Sequence, residues 1–188
     1  MESHTPHFTT RRPYRMRRVD YDRMGELGVF RDQKVELLYG VIVAASPQGV
    51  EHVYSIRQLN MILAPALLGR AMVQVQQPIA VGNDSEPEPD LSVVALGDYL
   101  DELPRTALLA VESANESLVD DRTVKGRIYA EAGIPEYWLI DLRRRRVERY
   151  LKPIDGAYTT MTTHGPGETL HPVEFPDVAV PLDAVLPH

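Results

Sequence analysis

Two short apolar runs, Leu91–Leu96 and Leu108–Val111, read as strands buried on both faces, and each is bordered by an acid. Asp90, after Pro89, opens the first, and Glu112 closes the second. A helix is expected to follow over 119–132, and it carries Lys125. Two carboxylates converging at adjacent strand ends with an ammonium beside them can hold a hard divalent cation and a phosphate. That combination is the chemistry of phosphodiester hydrolysis.

The 188 residues, 44% of them hydrophobic, suffice to bury one core, and helix and strand signals alternate, so the class is mixed α and β. The chain has no cysteine, which excludes disulfides, thiolate zinc sites and a cysteine nucleophile. Any metal must be held by oxygen or imidazole. No run of about 18 apolar residues is present to span a bilayer, and the arginine-rich N-terminus is unlike a signal peptide. A cytoplasmic location and no membrane partner are expected.

The formal net charge is −7, yet five of the 27 acidic side chains and none of the 20 basic ones lie beyond Lys152, so residues 1–152 carry a net −2. Two basic clusters stand out: Arg11, Arg12, Arg15, Arg17 and Arg18, and then Arg143–Arg146. By composition each reads first as a solvated tail or turn, and second as a phosphate-binding patch.

Residues 1–18 read as an arginine-rich arm and 19–188 as one domain. A short helix is expected over Asp20–Leu27 with Gly28 as its stop, then a hairpin-like strand pair, Lys34–Tyr39 and Val41–Ala45, around Gly40. Val53, Ile56, Leu59, Ile62 and Leu63 recur at helical spacing within 50–68. Ala71–Val81 reads as β with a bulge or edge position at Pro78. Gly133 and Pro135 end the helix that carries Lys125. A strand pair then surrounds the arginine turn, and weak strands occupy the proline-bearing tail.

Each candidate residue has a bland alternative. Asp90 after proline is a common turn residue, and Glu112 is either a strand-end surface group or a buried one that requires a cation beside it. Spacing alone favours an exposed Asp121–Lys125 ion pair over a lysine at the rim of a buried face. Glu36, an acid within Val35–Leu38, reads equally as a third ligand or as the outward side of an edge strand. His52 reads as a surface residue at a helix start, and the other histidines show no ligand spacing.

Taken together, Lys34–Ile42, Ser46-Pro47 with Glu51-His52, Pro89–Val94, and Lys125 with Tyr129–Asp141 resemble the Uma-type restriction endonuclease family, within the PD-(D/E)XK nuclease superfamily. The resemblance runs from Val19 to Leu186. It implies an α+β, restriction-endonuclease-like core: a mixed β-sheet flanked by helices, with an N-terminal hairpin and C-terminal strands. It also implies a metal site at Asp90 and Glu112 for Mg²⁺, with Mn²⁺ as the alternative, Lys125 as the catalytic lysine, Glu36 as an additional acid and DNA as substrate. The superfamily lysine two residues after the second acid is replaced here by Ala114, so that role passes to Lys125. The loop that follows is Ser113–Ser117 rather than Ser-Pro-Ser, and Glu116 adds a negative charge to it.

The reading that follows is a Mg²⁺-dependent DNA endonuclease. The alternatives are a catalytically silent module of the same fold that binds nucleic acid or protein, and a metal-dependent hydrolase of small phosphorylated substrates. Apolar strands at both ends of the chain are compatible with a homodimer that covers exposed edges.

Overall fold

The computed structural model describes residues 13–31, 33–45, 47–115 and 117–188; Arg11 and Arg12 of the first basic cluster, Ser46 and Glu116 lie outside them. Its centre is a six-stranded mixed sheet in the order β3 (Met72–Val75), β4 (Leu91–Val94), β5 (Leu109–Ala114), β6 (Glu136–Asp141), β7 (Arg146–Ile154), β8 (Ala157–His164). Only β5 and β6 run parallel, because the chain crosses between them through the helical segment 118–131. All the other pairings are antiparallel.

Alternation along β5 and β6 explains the two layers. Leu109, Val111, Trp138 and Ile140 face one side, where helix α2 (Val50–Ala66) and the C-terminal tail cover them. The tail supplies a small strand pair, β9 (Thr169–Leu170) with β10 (Val180–Pro181), and the short helix α5 (Leu182–Val185) packed on α2. Ala110, Ala114, Tyr137 and Leu139 face the other side, under Ile128, Tyr129 and the hairpin residue Leu38. β4 and β6 are buried throughout, as expected of strands covered on both faces.

The N-terminal part folds as helix α1 (Arg18–Glu26) followed by the hairpin β1 (Val35–Leu38) and β2 (Val41–Ala44). Its two-residue turn has Tyr39 at φ 48° and Gly40 at φ 73°, the pattern whose twist suits a tight hairpin. A β-carbon on Gly40 would stand 2.8 Å from the Arg15 side chain and 3.0 Å from the Met16 backbone, so the glycine is needed for packing as well as for φ. Reciprocal backbone bonds between Leu37 and Glu86 dock the hairpin against the segment before β4.

Three elements differ from their sequence expectations. The strand expected over Ala71–Val81 ends at Val75, because Gln76 takes a left-handed conformation at φ 52° shortly before Pro78. β5 continues to Ala114, so Glu112 lies within the strand instead of closing it. The helix expected over 119–132 is divided into α3 (Leu118–Asp120), a π-helical turn (Asp121–Lys125) and α4 (Gly126–Glu131). Its end is as expected. Gly133 at φ 69° donates to Ala130, and Ile134 donates to Tyr129, a Schellman stop.

A buried ionic cluster ties the tail to the sheet. Glu136, fully buried, accepts from Trp138 Nε1 and Arg149 Nε at 2.6 Å each through Oε1, and from the Val173 N–H at 2.6 Å through Oε2. Among the described residues no helix is long and apolar enough to cross a membrane.

Candidate active site

The β4–β5 register pairs Leu91 with Val111, so one further step sets Asp90 opposite Glu112, and both project to the face covered by the hairpin and α4. Asp90 Oδ2 accepts the Ser113 N–H at 2.8 Å, which fixes its carboxylate against β5. Both acids are buried. The convergence of the two acids is therefore produced by sheet register, with Glu112 inside β5 and not at its end.

Lys125 lies in the π-helical turn, which brings Asp121 and Lys125 inward together. Its ammonium bonds Glu112 Oε1 at 2.9 Å and Glu36 Oε1 at 2.9 Å, while Asp121 Oδ1 is at 4.0 Å. The exposed Asp121–Lys125 pair that spacing favoured is thus corrected: the lysine is buried, and its closest partners come from β5 and β1. Glu36 points inward, and its Oε1 also accepts the Glu88 N–H at 2.6 Å. All four residues singled out from the sequence stand in one cluster.

Two contributors went unassigned in the sequence reading. Tyr129 donates from its hydroxyl to Glu112 Oε1 at 2.5 Å. It lies four residues after Lys125, so helical spacing was the available signal. His52, expected at the surface, is buried at the start of α2, with Nδ1 2.8 Å from the Ser113 carbonyl and Nε2 3.2 Å from Asp90 Oδ1. Because the carbonyl can only accept, Nδ1 carries a proton. No local pattern revealed this contact, which arises where α2 crosses the ends of β4 and β5.

The electrostatics are those of one ammonium among four carboxylates. Burial by itself would lower the Lys125 pKa, but Glu112, Glu36 and Asp121 outweigh it and hold it above the ordinary lysine value. Burial pushes Glu112 well up; Lys125 opposes this, and Asp90, Asp121 and Glu36 add to it. Asp121 is raised to about 6 by burial, against the pull of Lys125 and of a Ser117 hydrogen bond. For His52 burial lowers the pKa, yet Asp90 and the Ser113 carbonyl raise it above the ordinary histidine value.

These groups line a cavity of about 960 Å³ between the hairpin and the π-helical turn. Its chemistry fits a divalent cation. The donors are hard oxygens, negative charge is in excess, and the bonds received by Glu112 and Glu36 converge on one oxygen of each. Among the described residues no three acidic or histidine side chains stand together at ligating spacing. Asp90 and Glu112 could therefore act as two protein ligands, with water completing the shell, as Mg²⁺ commonly accepts.

Comparison with known proteins identifies the family and the fold. The model of the Uma2 family, described as "Putative restriction endonuclease", matches residues 19–183. The chain belongs to the Uma2 family. A crystal structure of "a putative nuclease belonging to DUF820" from Anabaena variabilis ATCC 29413 is similar to it, with 17% identity and a TM-score of 0.62. The alignment covers 82% of this chain and 90% of that one, which establishes the shared fold. Curated proteins give no match. Family and fold are those of restriction-endonuclease-like nucleases.

Removing the ammonium should expose the charge imbalance. In Lys125→Met, Glu36, Glu112 and Asp121 lose their common partner, and chemical denaturation at neutral pH is expected to show a loss of about 3–5 kcal/mol. Carboxylates whose folded pKa is raised bind more protons in the native state than in the unfolded one, so their contribution is present at low pH and lost as pH rises through the folded value. Without the ammonium that holds it down to about 6, Asp121 takes up its proton at higher pH, so the loss should shrink as pH falls toward about 6. An equal loss at about pH 5 and about pH 8 would contradict this account.

Proposed function

We propose that this chain is a metal-dependent endonuclease that hydrolyses DNA phosphodiester bonds, with Asp90 and Glu112 as the ligands of Mg²⁺ or Mn²⁺. The observation that carries the reading is the placement of Asp90 and Glu112 across one antiparallel register, with the Lys125 ammonium 2.9 Å from Glu112 in an open cavity. A divalent cation held there supplies charge neutralisation at the phosphate and acidifies water.

Within this reading the chain's own residues divide the work. Lys125 has three N–H donors; Glu36 and Glu112 take two, and the third is available to a water or phosphate oxygen in the cavity. A fixed ammonium beside a phosphate stabilises the negative charge that develops there. Glu36 and Tyr129 hold Lys125 and Glu112 in place, and Ser113 N–H with His52 orients Asp90.

A catalytically silent binding module is the second reading, favoured by the absence of a three-ligand cluster among the described residues. Supercoiled plasmid separates the two. With Mg²⁺ or Mn²⁺ the wild type should nick, chelator should abolish nicking, and Asp90→Asn and Glu112→Gln should each reduce it by about 10²–10³-fold, the scale of losing an electrostatic group at the reacting centre. Salt-sensitive binding without nicking would instead establish the module.

We also propose that the chain forms a homodimer through β8. This eight-residue edge strand has no Asp, Glu, Lys or Arg, although exposed edges are ordinarily protected by charge. Thr160→Lys should shift the protein to a monomer in analytical ultracentrifugation. A wild type that is monomeric at all concentrations would refute this pairing.

A further inference from the structure

Two of the cations at the cavity mouth are paired with acids, and a third, Arg15, is tied to a backbone carbonyl and keeps its charge. Lys34 pairs with Glu88, Arg127 pairs with Glu131 at 2.9 Å, and Arg15 Nη1 donates to the Tyr39 carbonyl at 2.8 Å. With a chain that is acidic overall, duplex binding needs a local cationic surface elsewhere.

The turn between β6 and β7 provides one. Three arginines, Arg122, Arg144 and Arg146, gather around two buried acids, Asp141 and Glu148, and Arg143 and Arg145 belong to the same turn. Arg144 and Arg146 pair with Asp141, and Arg122 and Arg146 pair with Glu148. Both carboxylates are thereby satisfied. Arg143 and Arg145 are exposed, and neither has a carboxylate partner among the described residues.

Arg145 adopts φ 48°, the left-handed conformation that Tyr39 also takes in the β1–β2 turn and that asparagine or glycine adopts more readily. Asparagine at this position therefore keeps the turn while removing the charge.

The turn is also close to the reacting centre. Leu142, immediately before it, lines the cavity, and its N–H donates to the carbonyl of Ala114 at 3.2 Å, two residues beyond Glu112.

We propose that the Arg143–Arg145 turn is a docking surface for the phosphodiester backbone of duplex DNA, gripping it near the phosphate that lies over the acid cluster. This rests on the nuclease reading above and adds the surface that holds the substrate in register with the site.

The test is binding of a labelled DNA duplex in chelator, followed by anisotropy across a range of salt concentrations. Arg143→Gln/Arg145→Asn should flatten the slope of log affinity against log salt by about 0.9 for each phosphate that is no longer neutralised. Arg143→Lys/Arg145→Lys should keep most of the slope. Arg145→Asn alone should melt at or above the wild-type temperature while binding more weakly, a combination that a purely structural role does not give. An unchanged slope in the double variant, with wild type binding the duplex, would overturn the docking surface and leave the nuclease reading standing. No duplex binding by wild type at any salt concentration would overturn the docking surface, while the nuclease reading stands or falls on metal-dependent nicking.

Discussion

The ammonium of Lys125 is the contact on which the site depends. It joins Glu36 of the hairpin to Glu112 of the sheet from a turn of the covering helix, so three separately folded pieces meet at one nitrogen. Neither acid stays ionised when buried without an opposite charge. The hairpin carries further ties to the same neighbours, through the Tyr39 hydroxyl to Glu131 at 2.9 Å and Glu36 to the Glu88 N–H. Charge compensation inside the cavity and the closing of the hairpin over the sheet are therefore one interaction.

Around that contact the fold works as a positioning device. Antiparallel register sets Asp90 against Glu112, and the parallel β5–β6 pair forces a crossover whose helical segment brings Lys125 and Tyr129 back over the strand. The π-helical turn admits both Asp121 and Lys125 to the interior. The result is more negative charge than one lysine can neutralise, a state that favours a bound divalent cation or protonation of the acids, and the upward displacement of Glu112 and Asp121 expresses the same imbalance.

Much of this was legible from the residues. Apolar runs announced β4 and β5, Gly40 between two short apolar runs announced the hairpin, and Gly133 announced the end of α4. Asp90, Glu112, Lys125 and Glu36 could be singled out, although spacing alone left each with a surface alternative. What decided between the alternatives was long-range. The Lys125–Glu36 contact spans the chain from the N-terminal hairpin to the crossover, and no local pattern encodes it. His52 was misread for the same reason, since its partners Asp90 and Ser113 are brought to it by the packing of α2 across the strand ends. The π-helical turn escaped because helical periodicity over so short a segment does not separate one kind of turn from the other.

The central claim is that Asp90 and Glu112 hold a divalent cation. Its most direct test is Mn²⁺ titration followed by electron paramagnetic resonance, with the wild type, Asp90→Asn and Glu112→Gln compared at equal concentration and each checked for its fold by circular dichroism. Saturable Mn²⁺ binding by the wild type is expected, displaced by excess Mg²⁺ and weakened at least tenfold, about 1.4 kcal/mol, in either folded variant. Binding of equal strength in all three proteins, or none in the wild type, would contradict it.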